Sequence, residues 1–382
     1  MARANGEGTV YQRKSDDKIV VAISLPGGGR KVFYSDENGL PFKTKAAGKA
    51  FLKKELEKLS QGLPLGPGEE LGSYLLNWME TVARPRLDPK TAKDYAAIIR
   101  LHILPKLGSC PINKLSGPLL AELYTEKLKA LSPRRVQYIH AVIHTAMEQA
   151  VKWRFIPRNP ADDVEAPKVT KRDPHILSVH QVRQLLAAVQ GDRLEALYVL
   201  AVTTAMRQGE LLGLHWDEVD LARGMIHVVH SLDRLERQWR VKDPKTKLSR
   251  RSIRLTQWAV RALQDHWQRQ QWETELAGEL WQGRNLVFCR ENGLPLDNKR
   301  VTERHFYRLL RKLNLPPMHF HDLRHTAASL YMLMGVPPKV VQEMLGHSTV
   351  VMTLDTYSHL LPEMQEEAVR KMDNLLGPGT NG

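Results

Sequence analysis

The N-terminal part of the chain alternates short apolar runs with glycine-rich turns. Residues 9–11 and 19–23 are rich in β-branched and aromatic side chains, and a triple glycine at 27–29 follows the second run. Because short runs of this kind bounded by glycine are typical of strands, we expect three short strands between residues 8 and 36. The Lys- and Glu-rich segment 45–59 predicts a helix after them.

Beyond residue 69 the apolar positions follow helical spacing instead. Leu71, Tyr74, Leu75, Trp78 and Met79 fall at positions i, i+3, i+4, i+7 and i+8, which places them on one face of a helix. Similar patterns predict further helices at 91–103, 118–129 and 133–153. This region is therefore expected to be a helical bundle.

The C-terminal half of the chain combines both kinds of pattern. Ser178 is expected to cap a helix that continues through Ala188, and the apolar run 194–204 predicts a buried helix. A small sheet is expected from 225–229 onward, followed by long helices. The last helix carries an apolar stripe after Pro362.

Linker-like segments separate these patterns. Residues 61–68 are rich in Pro and Gly, and 157–160 and 166–174 are rich in Pro and basic residues. Since Pro and Gly sustain neither a helix interior nor a central strand, we expect domain boundaries there. The sequence of 382 residues therefore predicts a multidomain, mainly α protein with small β elements. The expected domains are residues 1–62, 69–166 and 175–382.

Charge narrows the range of partners. A formal net charge of +14 and a pI of about 9.7 favour a polyanionic partner, and nucleic acid is the commonest one. We find no run of about 18 apolar residues and no apolar segment near the N-terminus, so neither a membrane span nor a signal peptide is expected. Cys110 and Cys289 show no metal-ligand or disulfide pattern and are expected to be core residues. We expect the protein to act in the cytoplasm, at the nucleoid.

The strongest chemical signal is a set of cations followed by one phenol. His321 and Arg324 lie in the segment 321–326, a Leu-Gly-His triplet follows at 345–347, and Tyr357 comes ten residues after His347. The planar guanidinium of Arg fits two non-bridging phosphate oxygens. A tyrosine can act as a covalent nucleophile once the negative charge of the phosphate is neutralised. The set therefore predicts attack on a DNA phosphodiester.

This arrangement of H-x-x-R, L-G-H and Tyr resembles the C-terminal half of the tyrosine recombinase (phage integrase) family. Upstream, residues 203–212 are similar to the first-arginine motif of that family, A-x-R-x-x-E-L. Between the two, 239–241 and 251–255 flank the basic segment 243–247 and predict a β-hairpin. The resemblance implies a C-terminal mixed α/β catalytic domain with the catalytic residues Arg207, Lys245, His321, Arg324, His347 and Tyr357, and with Glu210 orienting a catalytic cation.

The chemistry that the resemblance implies is a pair of transesterifications. Tyr357 would form a 3′-phosphotyrosine link while Lys245 protonates the leaving 5′ oxygen, and the two motif arginines would neutralise the phosphate. His321 would be a base or an orienting donor for the tyrosine, and His347 a donor to the phosphate. No metal ion, ATP or other cofactor is implied.

Taken singly, each of these residues also has a structural explanation. An arginine before an apolar helix is commonly a surface ion-pair partner, and a lone tyrosine is commonly a half-buried core residue. Asp322 and His325 could cap or pack the start of a helix, and Glu210 could be a surface acid. Lys245 has basic neighbours in the same segment, any of which could face solvent. The conjunction of motifs favours the catalytic interpretation.

The resemblance extends to DNA binding and assembly. The N-terminal strands are similar to an arm-type DNA-binding domain, and the helical region to a core-binding domain; a solvated basic surface is the alternative for each. The partners implied are double-stranded DNA attachment sites, a homotetramer on DNA and an accessory DNA-bending protein. The candidate DNA contacts are Arg13, Lys14, Arg30, Lys31, Lys90, Thr91, Lys93, Arg134 and Arg135.

The expected function is that of an integrase that integrates or excises a phage or mobile element. Two other functions are consistent with parts of the pattern. A type IB topoisomerase shares the catalytic set but rejoins the same strand, and the N-terminal β region argues against it. A catalytically silent DNA-binding protein is the other alternative, against which the intact catalytic set argues.

Overall fold

The chain folds into two compact units, Met1–Lys171 and Arg172–Gly382. Their boundary falls in the second predicted linker, whereas the separation of the first unit into two domains at 61–68 stays a prediction. In the described part of the chain, no helix combines the length and the apolar character that crossing a membrane requires. The computed structural model describes residues 8–25, 29–37, 39–63, 65–66, 68–170, 175–235, 238–242, 250–357 and 361–376.

The first unit begins with the predicted sheet and helix. Strands β1 (Gly8–Gln12), β2 (Ile19–Ser24) and β3 (Arg30–Phe33) pair antiparallel in the order β1-β2-β3. Helix α1 (Lys45–Ser60) packs on this sheet, and the Thr44 hydroxyl caps it by accepting from the Ala47 amide at 3.1 Å. The prediction of an N-terminal three-stranded sheet with one helix is confirmed.

A helical bundle completes the first unit. Its core is built from the predicted apolar face that carries the buried Tyr74 and Trp78 side chains, together with apolar side chains of residues 117–152. The helices are α2 (Leu71–Trp78), α3 (Arg84–Arg86), α4 (Pro89–Ile98), α5 (Leu104–Leu107), α6 (Gly117–Leu128) and α7 (Pro133–Lys152). The Tyr74 hydroxyl donates to the Ala146 carbonyl at 2.7 Å, so its polar atom is satisfied inside this core.

Two π-helical turns interrupt the bundle helices, and each precedes a proline. The turns are Met79–Ala83 and Ile99–Ile103, and Pro85 and Pro105 follow them. A proline ring lacks an N–H and clashes with the carbonyl four residues earlier, which a widened turn accommodates. The helix predicted at 91–103 therefore changes its hydrogen-bonding pattern before it ends.

The second unit mixes helices with two small sheets. Its helices are α8 (Val179–Ala188), α9 (Glu195–Thr203), α10 (Gln208–Leu212), α11 (Gln257–Ala277), α12 (Tyr307–Lys312), α13 (Asp322–Leu333), α14 (Pro338–Leu345), α15 (Val350–Tyr357) and α16 (Leu361–Leu376). Its strands are β4 (Val219–Asp220), β5 (Met225–Val228), β6 (Ser231–Leu235), β7 (Gln238–Lys242) and β8 (Arg251–Arg254). Ser178 caps α8 as predicted, since its hydroxyl accepts from the Gln181 amide at 3.2 Å. The mainly helical fold with small β elements is confirmed.

The strand pairing around the predicted basic hairpin is not the expected one. We predicted that 239–241 would pair with 251–255, but β7 pairs with β6 and β8 pairs with β5. Ile253 of β8 lies opposite Ile226 of β5, and both side chains are buried in the main core of the unit. The burial of these two side chains pairs β8 with β5 rather than with β7. The partner of a strand is thus determined by residues that are distant in the sequence.

Two apolar clusters form the interior of the second unit. The larger one surrounds α9, which is buried on all sides, as the apolar run 194–204 predicts. The smaller one contains residues from α13, α14 and α15 and the residue that follows α9 by two positions: Ala205, Ala327, Ala328, Met332, Val341, Leu345 and Tyr357. The chain that leaves α9 thus passes directly into the second cluster.

A buried histidine on α11 should make this unit sensitive to acid. His266 is 4% exposed, and its Nε2 donates to the Val287 carbonyl at 2.7 Å. Burial lowers the pKa of His266 to about 4, so the folded protein holds it neutral. As the pH falls from the ordinary pKa of histidine in the unfolded chain toward this lower pKa, the unfolded chain takes up a proton that the folded protein does not. Acid therefore favours unfolding.

We therefore expect His266→Gln to lose less stability on acidification than the parent protein does. Between about pH 7 and about pH 5, the parent should lose about 2 kcal/mol more free energy of unfolding than the variant. Urea unfolding followed by tryptophan fluorescence measures the difference, and His180→Gln on the exposed side of α8 is the control. Equal losses in the parent and His266→Gln would contradict the assignment.

Candidate active site

Three arginines from separate elements converge on the C-terminal end of α14. Arg207 immediately precedes α10, Arg251 begins β8, and Arg324 lies in the first turn of α13. Each donates to one of three successive main-chain carbonyls, which an α-helix leaves without partners at its C-terminus. The hydrogen bonds are Arg251 Nε to Met344 O (2.7 Å), Arg324 Nη2 to Leu345 O (2.6 Å) and Arg207 Nη2 to Gly346 O (3.5 Å).

The backbone at this helix end requires glycine. Gly346 has a φ of +63°, in the left-handed region, where it forms the C-cap of α14. A Cβ atom at this position would also lie 3.1 Å from Nη1 of Arg251. The glycine of the L-G-H motif therefore lets the chain turn while Arg251 approaches it closely.

Glu210 is a buried carboxylate that bridges two of the arginines. Its oxygens accept from Arg207 Nη1 at 2.8 Å and from Arg251 Nη2 at 2.7 Å, and also from the Arg207 amide at 2.9 Å. Burial acts to raise the pKa of Glu210, but the hydrogen bond and charge of Arg251, followed by the charge of Arg207, lower it to about 2. Glu210 is thus ionised and fixes the orientation of both guanidinium groups.

Arg324 is the most buried of the three arginines, at 3% exposure. Burial, followed by the charge of Arg207, lowers the pKa of Arg324 to about 9, so it stays charged at neutral pH. Its Nη1 donates to the Ala205 carbonyl at 2.8 Å. Ala205 has a φ of +54°, which costs a residue with a Cβ atom about 1 kcal/mol. This strained residue aims its carbonyl at Arg324.

Tyr357 is the last residue of α15, and its side chain is fully buried. Burial raises the pKa of its phenol, and the charge of Arg324 acts in the opposite direction. The phenol oxygen lies 3.0 Å from Nδ1 of His325. Burial lowers the pKa of His325 as well, which favours the neutral imidazole. The Nδ1 atom of a neutral imidazole can accept the phenol proton.

Two more histidines border the cluster. Burial, followed by the charge of Arg324, lowers the pKa values of both His321 and His347 to about 4, so both are neutral near pH 7. The His321 ring lies 5.2 Å from the His325 ring, one helical turn along the same face of α13. The Nδ1 atom of His347 lies 3.0 Å from the Thr353 hydroxyl on α15, which connects the L-G-H turn to the tyrosine helix.

The structure thus brings together six of the seven residues that the sequence singled out for this site. They are Arg207, Glu210, His321, Arg324, His347 and Tyr357, coupled by the charges and hydrogen bonds given above. The seventh, Lys245, lies outside the described residues. Residues with the spacing of metal ligands in the described part of the chain lie at a different place in this unit: His215, Glu218 and His230.

Sequence reasoning missed two members of the cluster. Arg251 was assigned only to a flanking strand, yet its side chain is 7% exposed and holds Glu210. The alternation of β8 contained the signal, because Arg251 lies two residues before the buried Ile253 and therefore shares its inward face. His325 was interpreted as a capping or packing residue. Its position four residues after His321, on the same helix face, was the corresponding signal.

The predicted DNA contacts lie on the first unit. Arg13 and Lys14 follow β1, and Arg30 and Lys31 begin β3. The α4 helix carries Lys90, Thr91 and Lys93, and α7 carries Arg134 and Arg135. Lys14, Arg30, Lys31, Lys90, Lys93 and Arg134 are exposed, whereas Arg13, Thr91 and Arg135 are partly buried.

Some of these side chains already have partners within the chain. Arg13 donates to Asp16 at 2.7 Å, and Lys31 Nζ donates to the Leu65 carbonyl at 2.6 Å. Arg134 lies 4.9 Å above the ring of Tyr138. The contact between Arg13 and Asp16 is an exposed ion pair, and pairs of this kind contribute little to stability.

Comparison with known proteins agrees with this geometry. The model of the phage integrase family matches residues 175–364, and that of the phage integrase N-terminal SAM-like domain matches residues 70–129. The chain is 26% identical to a tyrosine recombinase XerC-like protein of Caldanaerobacter subterraneus, over 94% of this chain and 96% of that protein. It is 28% identical to an integrase of Streptomyces ambofaciens, over 99% of this chain and 98% of that protein.

A solved structure shows the same fold. The Tn1549 transposon integrase in complex with a circular intermediate DNA superposes with a TM-score of 0.66 at 24% identity, covering 79% of this chain and 99% of that one. The two family models match the two regions in which the sequence motifs and the helical bundle lie. With a buried tyrosine on which the charge of Arg324 acts, and with Arg324 one of three converging arginines, this chain belongs to the phage integrase family of tyrosine recombinases.

Proposed function

We propose that this tyrosine recombinase cleaves and rejoins DNA at specific sites through a 3′-phosphotyrosine intermediate formed on Tyr357, and thereby integrates or excises a mobile element. The observation that carries the proposal is a buried tyrosine phenol close enough to Arg324 for its charge to act on the pKa of the phenol, with Arg324 one of three arginines that converge on the end of α14. The names of its relatives support the mobile-element role, since they include an integrase of Streptomyces ambofaciens and the ICEBs1 integrase of Bacillus subtilis.

The charge balance of the cluster favours an anionic substrate. Arg207, Arg251 and Arg324 bring three positive charges, and Glu210 is the carboxylate that accepts hydrogen bonds from two of them. The carbonyls of α14 offer only partial negative charge to the guanidiniums. A phosphodiester would bring a full negative charge to these guanidiniums. The charge that develops on its equatorial oxygens during in-line transfer is stabilised by the same cations.

In the first step, the Tyr357 oxygen bonds to phosphorus while the bond from phosphorus to the 5′ oxygen breaks. The phenol proton leaves as the nucleophile attacks, and Lys245 gives a proton to the departing 5′ oxygen. His325, at 3.0 Å from the phenol, accepts the tyrosine proton and so takes the role that the resemblance implied for His321, while His321 and His347 donate hydrogen bonds to the phosphate. Arg207 and Arg324 bind the non-bridging oxygens.

In the second step, a 5′-hydroxyl gives its proton to Lys245 and attacks the phosphotyrosine, and the displaced Tyr357 oxygen regains its proton from His325. When the hydroxyl belongs to a partner duplex, the result is strand exchange. The energy of the broken phosphodiester is kept in the phosphotyrosine bond, so the exchange needs no high-energy cofactor.

Recognition of DNA is assigned to the first unit, where the basic residues on β3, α4 and α7 would contact phosphates. We propose a homotetramer on two duplexes, helped by an accessory DNA-bending protein, in the cytoplasm at the nucleoid. Exposed apolar residues on α16, including Val369 and Met372, support an association between protomers through this helix.

The nucleophile is tested with a nicked suicide duplex that carries DNA from beside the protein's own coding gene. We expect a denaturant-resistant protein–DNA adduct with the parent protein and none with Tyr357→Phe, because Phe has no nucleophilic oxygen. Tyr307→Phe, which removes a hydroxyl outside the cluster, should still form the adduct. An adduct in Tyr357→Phe would overturn the proposal, and a two-duplex assay separates recombination from relaxation of one strand.

The role of His325 is tested by the rate of adduct formation. We expect His325→Gln to slow cleavage about a hundredfold, because glutamine cannot take the phenol proton. The exposed His319 supplies the control variant His319→Gln, which should cleave at the parent rate.

The pH profile separates proton transfer from simple packing. Since burial lowers the pKa of His325, the parent rate should fall only at pH values below the ordinary histidine range, as the imidazole becomes protonated. His325→Gln should lack this part of the pH dependence. A variant with the parent rate and profile would remove His325 from the mechanism.

Glu210→Gln tests whether the arginines need the buried charge. Glutamine keeps an acceptor for the Arg207 amide but removes the buried negative charge to which Arg207 and Arg251 donate, so the free energy of unfolding should fall by about 3 kcal/mol. Adduct formation should fall at least tenfold at a temperature where circular dichroism shows the variant folded. Glu303→Gln, an exposed carboxylate of the same unit, is the control. Unchanged stability and cleavage would contradict the bridging role.

A further inference from the structure

Two histidines and one glutamate meet in the second unit outside the arginine cluster. His215 lies in the segment after α10, Glu218 immediately precedes β4, and His230 immediately precedes β6. One potential ligand atom from each residue lies within 4.8 Å of the other two. His230 Nδ1 contacts a Glu218 carboxylate oxygen directly, and His215 Nδ1 lies 3.9 Å from the other oxygen. The centroids of the two imidazole rings are 5.1 Å apart.

One atom of this group is buried without a hydrogen-bond partner. His215 Nδ1 is inaccessible to solvent and finds no donor or acceptor among the described residues. A buried polar atom of this kind costs about 1–3 kcal/mol unless something satisfies it. Glu218 is itself 6% exposed, and the His215 amide donates to it at 3.0 Å, which fixes the orientation of the carboxylate.

We propose that His215, Glu218 and His230 bind one divalent transition-metal ion of the zinc class. Two imidazoles and one carboxylate are a ligand set that Zn²⁺ accepts, with a fourth position left for water. Mg²⁺ and Ca²⁺ prefer oxygen ligands, so the two imidazoles argue against them. Ligand atoms around tetrahedral Zn²⁺ lie about 3.3 Å apart. The 3.9 Å between His215 Nδ1 and Glu218 would have to shorten a little, and the direct contact between His230 and Glu218 would have to open to admit the ion.

The ion would have a structural role. It would connect the segment after α10 with the residue that begins the β6–β7 hairpin. These elements are already close, since a Cβ atom on Gly213 would lie 2.5 Å from the Leu232 amide of β6. Because α10 starts directly after Arg207, the ion would stabilise the backbone that positions the Arg207 side chain. The cleavage chemistry does not pass through it.

The competing explanation is an ion pair between His230 and Glu218, with a water molecule on His215. The two explanations differ in what they predict for added metal, because only a metal site gives stoichiometric, ligand-dependent binding. Glu218→Gln also separates the two explanations, because it removes an anionic ligand while keeping the shape of the side chain. A metal site would then lose Zn²⁺ affinity, whereas an ion pair has no Zn²⁺ affinity to lose.

The test uses untagged, full-length protein treated with chelator and then titrated with Zn²⁺ in a calorimeter. We expect about one equivalent to bind and the thermal unfolding midpoint to rise. Glu218→Gln and the partly exposed His230→Gln should each weaken Zn²⁺ binding at least tenfold and abolish the rise in midpoint. His227→Gln replaces an exposed histidine that contacts the Ser252 hydroxyl and should bind Zn²⁺ as the parent does.

Failure to bind about one equivalent of Zn²⁺ would overturn the proposal, and so would equal weakening in His227→Gln or parent-like binding in His230→Gln. If Glu218→Gln does not fold, His230→Gln decides the result, because its side chain lies closer to the surface.

Discussion

The C-terminal end of α14 holds the active-site cluster together, because its unpaired carbonyls accept from Arg207, Arg251 and Arg324. Like charges this close repel one another, and the helix end compensates with partial negative charge and fixed acceptors. Glu210 adds one full negative charge. Among the described residues, Glu210 is thus the carboxylate that balances Arg207 and Arg251 directly.

This arrangement makes the site a product of the whole second unit. The three arginines come from the residue before α10, from β8 and from α13, which are far apart in the chain. Ala205 and Gly346 adopt left-handed backbone conformations at the two places where the chain must turn beneath the guanidiniums. Local strain is tolerated there because packing around α9 and α13 determines the path of the chain on both sides.

The sequence was sufficient for the features that depend on local pattern. Helical and strand periodicity located the N-terminal sheet, the bundle helices and α8, and the motif spacing located six residues of the cluster. Features that depend on distant partners were missed. The pairing of β8 with β5 depends on the burial of Ile253 beside Ile226, and these two residues are more than twenty positions apart in the chain. The inward direction of Arg251 follows from that pairing. The π-helical turns before Pro85 and Pro105 show that proline can modify a helix without ending it.

The complete burial of Tyr357 has a consequence for fidelity. In the free protein the Tyr357 phenol is packed among apolar side chains and hydrogen-bonded to His325. It is therefore accessible neither to water nor to phosphate groups in solution. As the proposed nucleophile, it would have to leave part of that packing to react, and the binding energy of a well-matched duplex would supply the free energy for this. A poorly matched duplex would be held without being cut. The enzyme would then discriminate between DNA sequences twice, once when it binds and again when the nucleophile is released.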